Sequence, residues 1–262
     1  MNSTSVVSLD AAAAPQLTTP SRLARLFYPG AALVVLALML IGFQQFYLHG
    51  RSYPDREIPP PIRGLIIAHG VTMSIWVLLF VVQPLLIASG NFRVHQRLGV
   101  LGAVLAAVIF VLGWMTGVES TRIAPPDARI WGLTFKQFMA VPLMSIALFA
   151  LLVATAVWQR RRPEIHRPLM LMATLVAIPA AVSRIDALNA LYVGTVWERL
   201  FGPFFMTVVL GVILFGVKCA LSRSFDRWFA AGLTGLIVSC ALIMQIAPTA
   251  MWDRFASFVL GT

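Results

Sequence analysis

The sequence predicts an all-α integral membrane bundle of about seven transmembrane helices, and three observations carry that reading. First, 59% of the 262 residues are hydrophobic and only 11% are charged, with a mean hydropathy of +0.85. That is more apolar surface than one soluble core buries, so lipid is the expected solvent. Second, the apolar residues fall into stretches of about 20, the length a helix needs to cross about 30 Å of hydrocarbon while satisfying its own backbone. Third, the net charge of +10 sits in short runs between those stretches, a pattern that suits membrane orientation and argues against nucleic-acid binding.

Taken in order, residues 1–28 open with MNSTSVVSLDAAAAPQLTTP, small and polar, without the basic start and long apolar run of a signal peptide. A disordered cytoplasmic tail is expected there. Residues 29–250 are expected to form the transmembrane domain, with spans at Ala31–Leu48, Gly64–Ala88, Leu98–Val118, Leu133–Trp158, Pro168–Leu188, Leu200–Ala220 and Trp228–Ala247. Residues 251–262 remain as a short extracytoplasmic tail. Small residues crowd the third span (Gly99, Gly102, Ala103, Ala106, Ala107, Gly113, Gly117), which lets neighbouring backbones approach and predicts that this helix is the packed centre of the bundle. Pro84, Pro142 and Pro179 within spans two, four and five predict kinks.

Orientation follows from the basic residues. With the N-terminus in the cytoplasm, Arg22, Arg25, Arg93, Arg97, Arg160, Arg161, Arg162, Arg167, Lys218, Arg223 and Arg227 all lie inside, close to span ends as the positive-inside rule asks. The densest run, WQRRRPEIHR, is expected to rest on anionic lipid headgroups. The two cysteines, Cys219 and Cys240, fall at different depths, so no bridge between them is expected.

Three groups of polar residues carry the chemical possibilities, since an ionisable side chain inside a span is costly and marks a candidate site. His69, Trp76 and Gln83 recur at intervals of seven, two helical turns, and so share one face of span two. Span five has an uninterrupted apolar run of only 15 residues, Pro168 to Val182, so Arg184 and Asp186, followed by Asn189, are drawn to the outer boundary. With Glu119, Lys136 and Gln137 from other outer ends, these residues are candidates for an outward-facing polar pocket lined by His69, Trp76, Gln83, Arg184, Asp186 and Asn189. The competing reading is that the charged members snorkel to headgroups. At the inner face His95 and Arg97 begin span three, and His166 with Arg167 begins span five. Two imidazoles at one depth on two helices are what a bis-histidine haem needs, and the arginines suit its propionates; headgroup contact is the alternative. No metal beyond such a haem iron is expected, because the chain has no HExxH helix, phosphate loop, G-x-S-x-G elbow or C-x-x-C pair. The last span holds no lysine, which removes a retinal Schiff base.

The stretches AHGVTMSIWVLLFVVQPLLIASGNFRVHQRLGVLG and EIHRPLMLMATLVAIPAAVSRI resemble a group of predicted bacterial multipass membrane proteins that carry only a domain-of-unknown-function label. Their pattern is a His early in one helix, a Gln two to four turns on, a His-Arg-x-x-Gly start to the next helix and a later His-Arg-x-x-Met. The matching residues here are His69, Gln83, His95 with Arg97 and Gly99, and His166 with Arg167 and Met170. Arg97 stands two residues after its histidine rather than one. The resemblance covers spans two to five and implies a bacterial inner-membrane location without an established activity. A looser likeness is to cytochrome b561, whose core helices contribute paired haem histidines; span four here has none, so only the pair His95 and His166 carries over.

No catalytic residues stand out in the sequence, and an enzyme is not the favoured reading; if the chain is one, a membrane oxidoreductase is expected. The leading expectation is a binding or electron-transfer module holding one b-type haem. The alternatives are a permease or receptor for a small-molecule ligand that uses the outer pocket, and an accessory subunit packed on a partner complex.

Overall fold

The structure is a computed structural model that describes residues 22–54, 56–125 and 127–262; most of the expected N-terminal tail lies outside them. It is an all-α fold trimmed by two small hairpins. α1 runs Arg22–Gly42, α2 Gln44–His49, and β1 (Arg51–Tyr53) pairs with β2 (Arg56–Glu57) ahead of a 3-10 turn, Pro60–Ile62. α3 spans Arg63–Ala88 and α4 Phe92–Arg122; β3 (Arg129–Ile130) pairs with β4 (Leu133–Thr134). Next come α5 (Phe135–Phe138), α6 (Ala140–Trp158), α7 (Pro163–Ala177), α8 (Pro179–Val182) and α9 (Asp186–Asn189). After these follow α10 (Val196–Phe201), a 3-10 turn, α11 (Phe205–Ser222), α12 (Arg227–Ile246) and α13 (Ala250–Leu260).

Among the described residues six helical stretches are long and apolar enough to cross a membrane: Ala24–Gly42, Pro60–Ala88, Phe92–Arg122, Phe135–Trp158, Val196–Ser222 and Arg227–Ile246. They correspond to six of the seven expected spans. The fifth expected span differs. Instead of one helix over Pro168–Leu188, the chain forms α7, breaks at Ile178, restarts with Pro179 at the head of α8 and turns into α9. Proline explains the break: it has no N–H to return to the preceding turn, and Ile178 before it is opened to φ −98°, ψ 0°. At about 1.5 Å per residue, α7 alone reaches about 22 Å, short of the hydrocarbon thickness. Pro84 lies inside an unbroken α3, and Pro142 falls in the first turn of α6, where a missing N–H costs nothing.

The centre of the bundle is α7, not α4. Leu171, Met172, Ala173, Thr174, Leu175 and Val176 are each at most 1% exposed, so the C-terminal half of α7 is enclosed on every side, as a helical stretch with no solvent or lipid face must be. Trp76 of α3 donates its indole N–H to the Thr174 hydroxyl at 3.3 Å and meets the ring of Phe149 on α6 edge-on at 4.9 Å. Gly232 of α12 leaves room for Met172. By contrast, α4 turns Val100, Leu101 and Val104 outward, each at least 60% exposed. Its glycines admit partners on the other face, as the small-residue pattern predicts. A Cβ at Gly102 would fall 2.9 Å from Leu79 Cδ2, one at Gly113 2.9 Å from Ile146 Cγ1, and one at Gly117 2.5 Å from Leu143 Cδ1. Small residues mark close approach to one or two neighbours; they do not mark the middle.

Thr174→Val keeps the shape of this central side chain but strands the buried Trp76 N–H. A loss of about 1–3 kcal/mol is expected, to be read as a lower thermal midpoint of the purified chain. An unchanged midpoint would show that the bond contributes nothing.

The two termini also differ from expectation. α1 already begins at Arg22, inside the predicted tail 1–28. The segment 251–262 is not a bare tail, since α13 occupies most of it. α13 is short and amphipathic, and it folds over α5 and the C-terminal end of α4. This is the end of the bundle that the charge pattern is expected to place outside, the outer end, with the inner end opposite. The Trp252 indole donates to the Lys136 carbonyl at 3.0 Å, and Lys136 Nζ reaches Asp253 at 2.7 Å and the Ser257 hydroxyl at 2.8 Å.

Candidate functional site

The heptad stripe on α3 faces the interior along its whole length, and each member meets a different neighbour. His69 lies at the outer half, its ring against the α4 backbone at Gly113, where an added Cβ would fall 3.2 Å from His69 Cε1. Its Nδ1 is buried without a hydrogen-bond partner. Trp76 sits at mid-depth on Thr174. Gln83 reaches the inner end, where its amide nitrogen faces His95 of α4, donating to the His95 carbonyl at 3.3 Å and to Nδ1, while its oxygen accepts from the Gly99 N–H at 3.0 Å. That orientation is set by the hydrogen-bond network, since the opposite one would set oxygen against acceptors and nitrogen against a donor. Fourteen residues separate His69 from Gln83, about 21 Å along the helix, so the two stand at opposite ends of the bundle.

The inner end gathers the second candidate group. The antiparallel run of α6 into α7 places His166 beside the last turn of α6, where Nδ1 bonds the Ala156 carbonyl at 2.8 Å. A carbonyl only accepts, so Nδ1 carries the proton and Nε2 keeps a free lone pair. His95 lies within electrostatic reach of His166 and of Arg167. The structure therefore joins Gln83 of α3 to His95 and Gly99 of α4, with His166 of α7 within electrostatic reach. Arg97 and Arg167 are exposed at the rim beside them, and among the described residues neither forms an ion pair. Sequence reasoning placed the histidines at one depth but missed the Ala156 carbonyl and the Gln83 to His95 bond, because a backbone carbonyl carries no sequence signal and the period that singles out Gln83 gives its face without its neighbour.

The outer candidates separate. Glu119 pairs with Arg122 at 2.7 Å, Lys136 with Asp253, and Gln137 closes a capping box with Thr134 at the start of α5. Asp186 is exposed in the first turn of α9. Asn189 holds the turn after α8, donating to the Ser183 carbonyl at 2.7 Å and accepting from the Tyr192 hydroxyl at 3.4 Å. Arg184 contacts Phe43, Tyr53 and the Ala180 carbonyl, while the contacts of His69 are on α4. No group of three or more His, Cys, Asp or Glu suited to a metal ion occurs among the described residues.

Fold and composition together define a multipass, all-α membrane protein. Comparison with protein-family models, with curated proteins and with solved structures finds no match.

Proposed function

We propose that the chain is a bacterial inner-membrane protein with seven crossings and a cytoplasmic N-terminus, α7 and α8 together making the fifth. Its inner end would hold one b-type haem between His95 and His166 for electron transfer. The observation that carries the reading is the His166 ring, fixed by the Ala156 carbonyl with its Nε2 lone pair free and a second imidazole within electrostatic reach on another helix. Histidines that bind metals are commonly held this way, the far nitrogen donating to a carbonyl so that tautomer and ring plane are set.

His95 fits on one condition. Its Nδ1 accepts from the Gln83 amide, which leaves the proton on Nε2, the nitrogen an iron would need. An amide offers a donor at one end and an acceptor at the other. Turned over, Gln83 would accept from Nδ1–H and free Nε2 for ligation, at the cost of its bonds to the His95 carbonyl and the Gly99 N–H. Arg97 and Arg167 supply the charge that two propionates require, and Arg160, Arg161 and Arg162 of the α6–α7 loop would rest on anionic headgroups. When bound, a haem supplies reversible one-electron exchange; the chain's part is to ligate, to fix the two rings and to neutralise the propionates.

Titration of the purified chain with haemin tests this. Absorbance should saturate at one equivalent per chain, with a shift to six-coordinate bands. Unsaturating partition into the micelle, unchanged by His166→Ala, would overturn it.

A further inference from the structure

Among the described charged side chains, Arg184 alone has a buried donor atom with no hydrogen-bond partner. It follows α8, at the end of the broken central element, and its guanidinium Cζ lies 4.8 Å from the ring centroids of both Phe43 and Tyr53. Phe43 belongs to the α1–α2 junction and Tyr53 to the hairpin above it. One N–H group bonds back to the Ala180 carbonyl, and Nε is buried with no partner among the described residues. Glu119, Lys136 and Asp253 at the same end are paired with one another or with near neighbours, while among the described residues no carboxylate pairs with Arg184.

Two aromatic rings offset part of the cost of taking a guanidinium out of water, but they present π charge rather than lone pairs. The N–H donors lie in the plane of the guanidinium and form a rigid fork that matches two oxygens of one anion. A buried donor left unmet is costly, so the arrangement is half of a charge-assisted pair whose other half is not found among the described residues. A break in a membrane helix at such a cation is also where irregular backbone is tolerated, because it borders a polar site.

We infer that Arg184, walled by Phe43 and Tyr53, is an oxyanion-binding site at the outer end of the bundle, taking a carboxylate or phosphate group. The group belongs either to a water-soluble ligand or to a lipid headgroup at the membrane boundary. This inference does not depend on the haem reading.

The test uses the full chain in maltoside micelles, which contain no oxyanion, with the thermal midpoint as readout. One arm titrates acetate and inorganic phosphate against chloride at constant ionic strength. The other adds short-chain phosphatidylglycerol against a neutral diacylglycerol of the same chain length. A saturable rise in the first arm identifies a soluble ligand, and one in the second alone identifies a lipid. In either case Arg184→Lys, which keeps the charge and loses the fork, should weaken binding about ten-fold or more, and Arg184→Met should abolish it. Arg199→Gln, at an exposed cation of the same end, should leave the response intact. No saturable rise in either arm would overturn the proposal, as would equal weakening by Arg199→Gln or an unchanged response in Arg184→Lys. Should Arg184→Met fail to fold, the lysine variant carries the comparison.

Discussion

Gly42→Ala is expected to be the most destabilising single-methyl change in the bundle, costing about 3 kcal/mol. A Cβ at Gly42 would fall 2.1 Å from the Ala181 carbonyl oxygen and 2.6 Å from its carbon. Both are backbone atoms, so no side chain can swing aside, and α1 and α8 must separate. Elsewhere the same test meets the ends of flexible side chains, such as Phe46 at Gly70 or Leu79 at Gly102, where a change of rotamer relieves the clash. Separation of α1 from α8 would also draw Phe43, the next residue, away from Arg184. The thermal midpoint should therefore fall sharply, and the oxyanion response of the outer end should weaken with it. A midpoint within a degree or so of the parent would show that the two helices do not meet at this contact.

Exchange of either histidine at the inner end should have the largest effect on the proposed cofactor. His166→Ala removes the ligand whose tautomer the Ala156 carbonyl already fixes, and His95→Ala removes the second. Either change should abolish the six-coordinate bands rather than shift them, because six-coordination needs both ligands. Gln83→Leu should act differently: it takes away the amide that faces His95 Nδ1 and leaves both imidazoles in place. Haem should remain bound in that variant, with a displaced reduction potential and a poorly fixed ring plane. Equal loss in all three variants would point to disruption of the α3–α4 contact instead of ligation.

How much of this was legible before the structure depends on which direction in the bundle is asked about. Depth was legible. The period of seven on α3 places His69, Trp76 and Gln83 on one face, and all three face inward. The short apolar run of the fifth segment predicts Arg184 near one end of the bundle, and there it meets Phe43 and Tyr53. Lateral position was not legible. Hydropathy gives a helix its level in the membrane and says nothing of its neighbours, so the glycine-rich α4 was expected at the centre that α7 occupies. The break before Pro179 was read as a kink, since a proline in lipid is met by either outcome and only the surrounding helices decide. α13 escaped notice because an 11-residue amphipathic helix gives too short a periodic signal against an apolar background. The unpaired state of Arg184 could not be read at all, because sequence shows which charges exist and not which of them meet.

The central claim, a haem between His95 and His166, is tested most directly by the reduced-minus-oxidised absorbance spectrum of the chain purified from haem-replete cells. A Soret band with sharp α and β bands of a six-coordinate b-type haem, at one equivalent per chain, is the predicted result. A featureless spectrum from folded protein would contradict it.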